Sequence, residues 1–143
     1  MSVTNTTNQQ LSTADKVKKI FSGECRKQDI CMVKDILASF GDKWSMYTIL
    51  LLGQHERLRF NELKGTIQGI SQRMLTVTLR SLEEDGLVLR THHPEIPPRV
   101  EYELTDLGKS LLEQLLQLAG WADEHFGKIV EARKQYAKQH GSK

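Results

Sequence analysis

Residues 71–80 read Ser-Gln-Arg-Met-Leu-Thr-Val-Thr-Leu-Arg, a mixture of hydroxyl, amide and guanidinium groups with β-branched methyls. Such groups recognise base edges: a glutamine amide suits adenine, a guanidinium suits guanine, and Thr or Val methyls touch the thymine methyl. If the segment is a helix with Leu75, Leu79 and Leu82 turned inward, then Gln72, Arg73, Thr76, Val77 and Arg80 emerge together on the other side. Ser71, Gln72, Arg73, Thr76 and Val77 are the candidate base readers, because the early part of such a helix enters a groove most deeply. Arg80, further along, suits phosphate. Glu83-Glu84-Asp85 would repel a polyanion, so the basic half would face the duplex and the acidic half point away. A solvated helix surface of mixed charge is the plain alternative for the same pattern.

Other basic side chains lie nearby. Arg59, Asn61 and Lys64 precede this segment and suit phosphate contact, although Asn61 serves equally well as a helix cap. Arg90, His92, His93 and Arg99 follow it, and Arg90 and Arg99 are candidates for a second contact in a neighbouring minor groove. The chain of 143 residues has a net charge of only +2. That average hides an uneven distribution, with five basic side chains against one acidic between Arg57 and Ser81, and an acidic excess beyond. Basic charge concentrated in one place points to a polyanionic partner.

Several function classes recede on composition. The longest apolar run, Ile49 to Leu52, is far short of a membrane span, and the N-terminus lacks the basic start and apolar stretch of a signal peptide. The expectation is a cytoplasmic protein with no membrane partner, whose two cysteines are thiols rather than a structural bridge. No Ser/His/Asp set, carboxylate pair or phosphate-cradling glycine loop is recognisable, so no enzyme and no cofactor are expected. His92 and His93 with His55 or His125 raise a metal- or small-ligand-sensing regulator as an alternative. No Cys/His set has ligand spacing, so no metal site is assigned.

The elements that must position these groups follow from periodicity. Helices are expected over about 14–22, 32–40 and 43–52, the last apolar all round and hence central, stopping at Gly53. A very short strand at 57–59 precedes a helix over 60–67. Ser71 caps the next helix, which runs to Asp85 and ends at Gly86. Two β-compatible segments, 87–92 and 99–104, flank a proline-rich tip and form a hairpin. Thr105 begins a long last helix reaching Tyr136. This order predicts a mostly α fold with a small β-hairpin, the winged helix-turn-helix layout. Residues 14–136 would form one DNA-binding and dimerisation domain, between a disordered tail at 1–13 and a flexible one at 137–143. Used without its basic face, the same fold would be a protein–protein interaction module.

Four ordered stretches resemble a known family. Residues 31–44 (Cys-Met-Val-Lys-Asp-Ile-Leu-Ala-Ser-Phe-Gly-Asp-Lys-Trp), 59–63 (Arg-Phe-Asn-Glu-Leu), 69–86 and 97–108 are similar to HxlR-type bacterial transcriptional regulators, a MarR-like group. The resemblance implies a homodimer that binds an inverted-repeat operator on double-stranded DNA as a transcriptional repressor or activator, a repressor being the expectation, with the N-terminal region and long last helix forming the dimer contact. The apolar excess between Leu107 and Phe126 agrees with that, and Trp121 belongs either to the interface or to the core. Met32 stands where the family commonly has Pro, and Asp42 where it commonly has Gly. The resemblance also places Cys31 where several members carry a thiol that senses oxidants or small electrophiles. Cys31 would sit at a helix N-terminus and Cys25 beside Arg26 and Lys27, both of which favour thiolate, while either is also an ordinary small hydrophobe.

Overall fold

The structure, a computed structural model, describes residues 12–21 and 32–141. Cys25, Cys31 and most of the expected N-terminal tail lie outside the described residues. The chain divides into two compact units, one up to Gly41 and one from Asp42.

The first unit holds α1 (Thr13–Phe21) and α2 (Met32–Phe40), which touch each other. Ser12 opens α1. Its Oγ accepts from the Asp15 N–H at 3.1 Å and donates to the Asp15 carboxylate at 2.7 Å, satisfying a donor that the first helical turn leaves free. Helix α2 carries the expected stripe, yet Val33, Ile36 and Leu37 are each about half exposed.

The second unit runs α3 (Lys43–Gln54), β1 (Leu58–Arg59), α4 (Phe60–Thr66), α5 (Gln72–Glu84), β2 (Val88–His93), β3 (Arg99–Leu104) and α6 (Asp106–Gln139). Asp42 caps α3: one carboxylate oxygen accepts the Trp44 and Ser45 N–H groups at 3.0 Å, and the other accepts the Ser45 hydroxyl at 2.7 Å. Partial burial pushes the Asp42 carboxyl up, but the bonds from Ser45 and Trp44 outweigh it and hold the group below its ordinary range.

Two expectations about α3 need correction. The helix is not buried all round: Ser45, Thr48, Ile49 and Leu52 form its buried face, while Tyr47 is half exposed. Its contacts to α5, α6 and β3 cover one side of the cylinder only. The helix also continues through Gly53 to Gln54, because that glycine serves close packing rather than termination. A β-carbon there would run into the Leu112 side chain of α6.

The three strands form an antiparallel sheet in the order β1-β3-β2, with Val88 opposite Leu104, Arg90 opposite Tyr102 and His93 opposite Arg99. Side chains alternate across a strand, so burial of Tyr102 and Leu104 turns Arg99, Glu101 and Glu103 to the outer face. The core beneath is built from leucines and isoleucines of α3, α4, α5 and the sheet; Ile49, Leu63, Leu75 and Leu82 are wholly excluded from water.

The hairpin leaves and re-enters the helical layer at one junction. Gly86, at φ +74°, takes the left-handed turn that ends α5, and the Leu87 N–H donates to the Leu82 carbonyl at 2.9 Å. Thr105 closes the other side: its hydroxyl donates to the Gly86 carbonyl at 2.6 Å and its N–H to the Leu87 carbonyl at 3.1 Å. The same hydroxyl oxygen accepts from the Gly108 N–H at 3.0 Å as the cap of α6.

Helix α6 has 34 residues, about 50 Å at the α-helical rise, and continues past Tyr136 into the expected C-terminal tail. Gly108 alone of its residues is buried. Leu107, Leu116, Leu118, Trp121, Phe126 and Tyr136 are all more than half exposed, so Trp121 is not a core residue within this chain. Among the described residues no helix is long and apolar enough to cross a membrane.

Candidate nucleic-acid interface

A polar helix face becomes a reading surface only if its scaffold holds it rigidly and leaves it uncovered. The turn from α4 to α5 supplies the first condition. The Glu62 carboxylate of α4 accepts the Arg59 N–H at 3.0 Å, tying the start of the helix to β1. Asn61 is the second residue of α4, and it is Arg59, not Asn61, that occupies the N-cap position. Ile67 and Ile70 bury their side chains on either side of Gly69, whose φ of +83° only glycine adopts readily. Ser71 then caps α5, its Oγ accepting from the Met74 N–H at 3.0 Å.

Helix α5 divides as its pattern predicts. Leu75, Thr78, Leu79 and Leu82 are buried, and Gln72, Arg73, Thr76, Val77 and Arg80 are exposed. Val77 is 54% exposed, a β-branched apolar side chain held in water amid polar neighbours. The Thr76 hydroxyl donates to the Gln72 carbonyl at 2.8 Å, so what Thr76 offers outward is chiefly its methyl. The Ser71 hydroxyl donates to no other group among the described residues. Met74, 41% exposed, joins this surface, although it was not among the groups expected there from the sequence. Arg59, Lys64, Arg73, Arg80 and Arg90 are exposed and, among the described residues, none makes an ion pair. Glu83 and Glu84 occupy the far end of the helix.

The hairpin separates residues that the sequence grouped together. Arg90 and His92 share the sheet face of Tyr102, whereas His93 and Arg99 share the face of Glu101. Arg99 is engaged there. Its Nη2 lies 3.2 Å from the Glu95 carboxylate and its Nε 3.1 Å from that of Glu101. Arg57 reaches Glu103 at 3.2 Å, and His93 approaches Glu101 at 3.7 Å. The acidic partners Glu95, Glu101 and Glu103 were not singled out in the sequence, although the charge alternation along β3 is the signal that could have found Glu101 and Glu103. Strand alternation also sets His92 and His93 on opposite faces, which keeps the adjacent pair from acting as joint ligands.

Residues 39–130 match the HxlR-like helix-turn-helix family over well beyond half of the chain. The chain belongs to that family. An HTH-type transcriptional regulator of Methanothermobacter thermautotrophicus is 43% identical over 103 residues, covering 71% of this chain and 78% of the relative. Among solved structures, the transcriptional regulator ytfH from Salmonella typhimurium is similar at a TM-score of 0.66 and 29% identity, over 72% of this chain and 91% of that one. The redox regulator HypR in its oxidised form is similar at a TM-score of 0.59 and 38% identity, over 64% of this chain and 94% of that one. This HxlR-like chain is accordingly a helix-turn-helix transcriptional regulator with a winged-helix fold, not an enzyme. The family implies DNA as its partner.

Proposed function

We propose that the protein is a sequence-specific repressor that binds an inverted-repeat operator as a homodimer and is released by an oxidant or small electrophile. The observation that carries DNA reading is the uncovered face of α5, where Gln72, Arg73, Thr76, Val77 and Arg80 are exposed along a stretch, residues 71–80, that contains no acidic residue. Ser71, Gln72, Arg73, Thr76 and Val77 contact bases; Arg59, Asn61, Lys64 and Arg80 contact phosphates, and Arg90 joins them from the wing. Residues 14–136 carry both DNA contact and dimerisation. The exposed apolar side chains of α6, with the N-terminal helices, form the dimer contact, which would set the two α5 helices about 34 Å apart or a multiple of it. The likeness to a redox regulator, together with two thiols in the N-terminal region, supports Cys31, with Cys25, as the sensor.

The deciding experiment selects duplexes from fragments of the source genome with the full-length protein and titrates binding against salt. A repressor of this kind selects an inverted repeat, and log affinity falls with log salt at a slope near −0.9 per phosphate neutralised. Sequence-indifferent binding would overturn the reading in favour of a winged-helix interaction module.

A further inference from the structure

The wing ends in an isoleucine that nothing covers. Residues 94–98 read Pro-Glu-Ile-Pro-Pro, and Ile96 at the apex is fully exposed. Isolated apolar residues on a surface are ordinary, but this one sits on a braced support. The prolines fix φ on both sides, and Pro97 confines Ile96 to extended conformations. The Glu95 N–H donates to the His93 carbonyl at 2.8 Å. Arg99 then ties the tip to the strand by pairing with Glu95 at 3.2 Å and with Glu101 at 3.1 Å, the Glu101 side chain being only 14% exposed.

We propose that Ile96 is an apolar wedge for the minor groove next to the major-groove contact of α5, and that Arg99 positions it rather than entering the groove itself. The inference rests on the DNA-binding reading above. Three observations support it. Six paired residues of β2, at about 3.3 Å each, carry the tip about 20 Å from the base of the hairpin, close to half a turn of B-DNA at about 17 Å. The guanidinium of Arg99 is held by two carboxylates, one of them that of the half-exposed Glu95, which leaves Ile96 as the large apolar side chain the apex presents. Aliphatic side chains of this size are what minor-groove proteins insert at base steps, and a proline-lined turn leaves little to order on contact. Arg90, exposed and unpaired among the described residues, lies on the opposite sheet face from Arg99, where it can meet the phosphates flanking the groove.

The test compares full-length wild-type protein with Ile96→Ala and Ile96→Leu on one duplex that the wild-type protein selects from a random-sequence pool. Hydroxyl-radical footprinting and titrations at several salt concentrations are read. Ile96→Ala is expected to bind about five- to tenfold more weakly. It should lose protection only in the minor groove flanking the central contact, and keep the wild-type salt slope, since an apolar contact releases no counterions. Ile96→Leu should restore both affinity and flanking protection. An alanine variant that binds and protects as wild type does would overturn the wedge and leave the tip as a contact for another protein. A changed salt slope, or equal loss in the leucine variant, would also overturn it. If the wild-type protein selects no sequence and leaves no footprint, the DNA-binding reading falls and this inference with it.

Discussion

Gly108 lies so close to Leu87 that a β-carbon on the glycine would overlap the Leu87 carbonyl oxygen. The first turn of α6 is thus pressed against the backbone that ends α5. Gly108→Ala must drive the two apart and should destabilise the protein by about 1–3 kcal/mol, seen as a lower urea midpoint. Gly127, with open space around it, is the control; alanine there should be neutral or stabilise by up to about 1 kcal/mol. Equal responses at the two positions would contradict the close approach.

Arg73 and Lys64 should fail differently. Removing Arg73, on the exposed face near the start of α5, should cost about 1–3 kcal/mol on the preferred operator and relax base preference at one position. Lys64→Ala should weaken binding to operator and scrambled DNA alike and reduce the salt slope by about one unit. Titrating both variants on both duplexes separates the roles.

Asp42 provides a pH signature. Its carboxyl is held below the ordinary range by the helix-cap bonds, so its contribution is complete above the unfolded-state value and disappears as pH falls through the lower folded value. Asp42→Ala should lose about 0.5–2 kcal/mol of stability at pH 7. The gap to wild type should begin to narrow as pH falls to the ordinary carboxylate range and close only below the lower folded-state value, where the capping carboxyl finally protonates. A gap independent of pH in urea titrations would place the effect elsewhere than in the charged cap.

Leu118 and Trp121 test the dimer contact. Glutamate at both positions should raise the dimer dissociation constant about 30-fold or more, as judged by sedimentation, without changing the helix content. A wild-type chain that sediments as a monomer at micromolar concentration would contradict the interface.

Cys31 tests the sensor. Diamide accepts two electrons and two protons from a pair of thiols, becoming the hydrazine while the sulfurs form a disulfide. Operator binding by the wild-type protein should weaken at least tenfold after treatment and recover with dithiothreitol, whereas Cys31→Ser should hold its affinity. Identical responses in the two proteins would remove Cys31 from the mechanism.

Much of this architecture is legible in the sequence because local chemistry and global packing agree. The leucine spacing of α5 and the cap at Ser71 dictate the exposed face directly, and Gly86 and Thr105 mark the ends of the hairpin from their own preferences. Other features depend on contacts between distant residues. Gly53 reads as a helix stop until Leu112 is seen to need its space. Arg99 reads as a free basic group until its distance to Glu101 is known. The richly apolar helix α3 reads as buried all round, yet a helix packed on one side leaves the rest of its circumference uncovered. Placement on a strand face is written in the alternation, but which groups then pair across the sheet is not.

The bonds from Thr105 to Gly86 and Leu87 bring the two ends of the hairpin together at a single point. The wing is therefore a closed excursion from a fixed base, and residues can be added to or taken from its tip without moving α5 relative to α6. In the operator-bound dimer proposed above, groove reach and half-site spacing would consequently vary independently: one would be set by the length of the loop, the other by the helices it leaves behind.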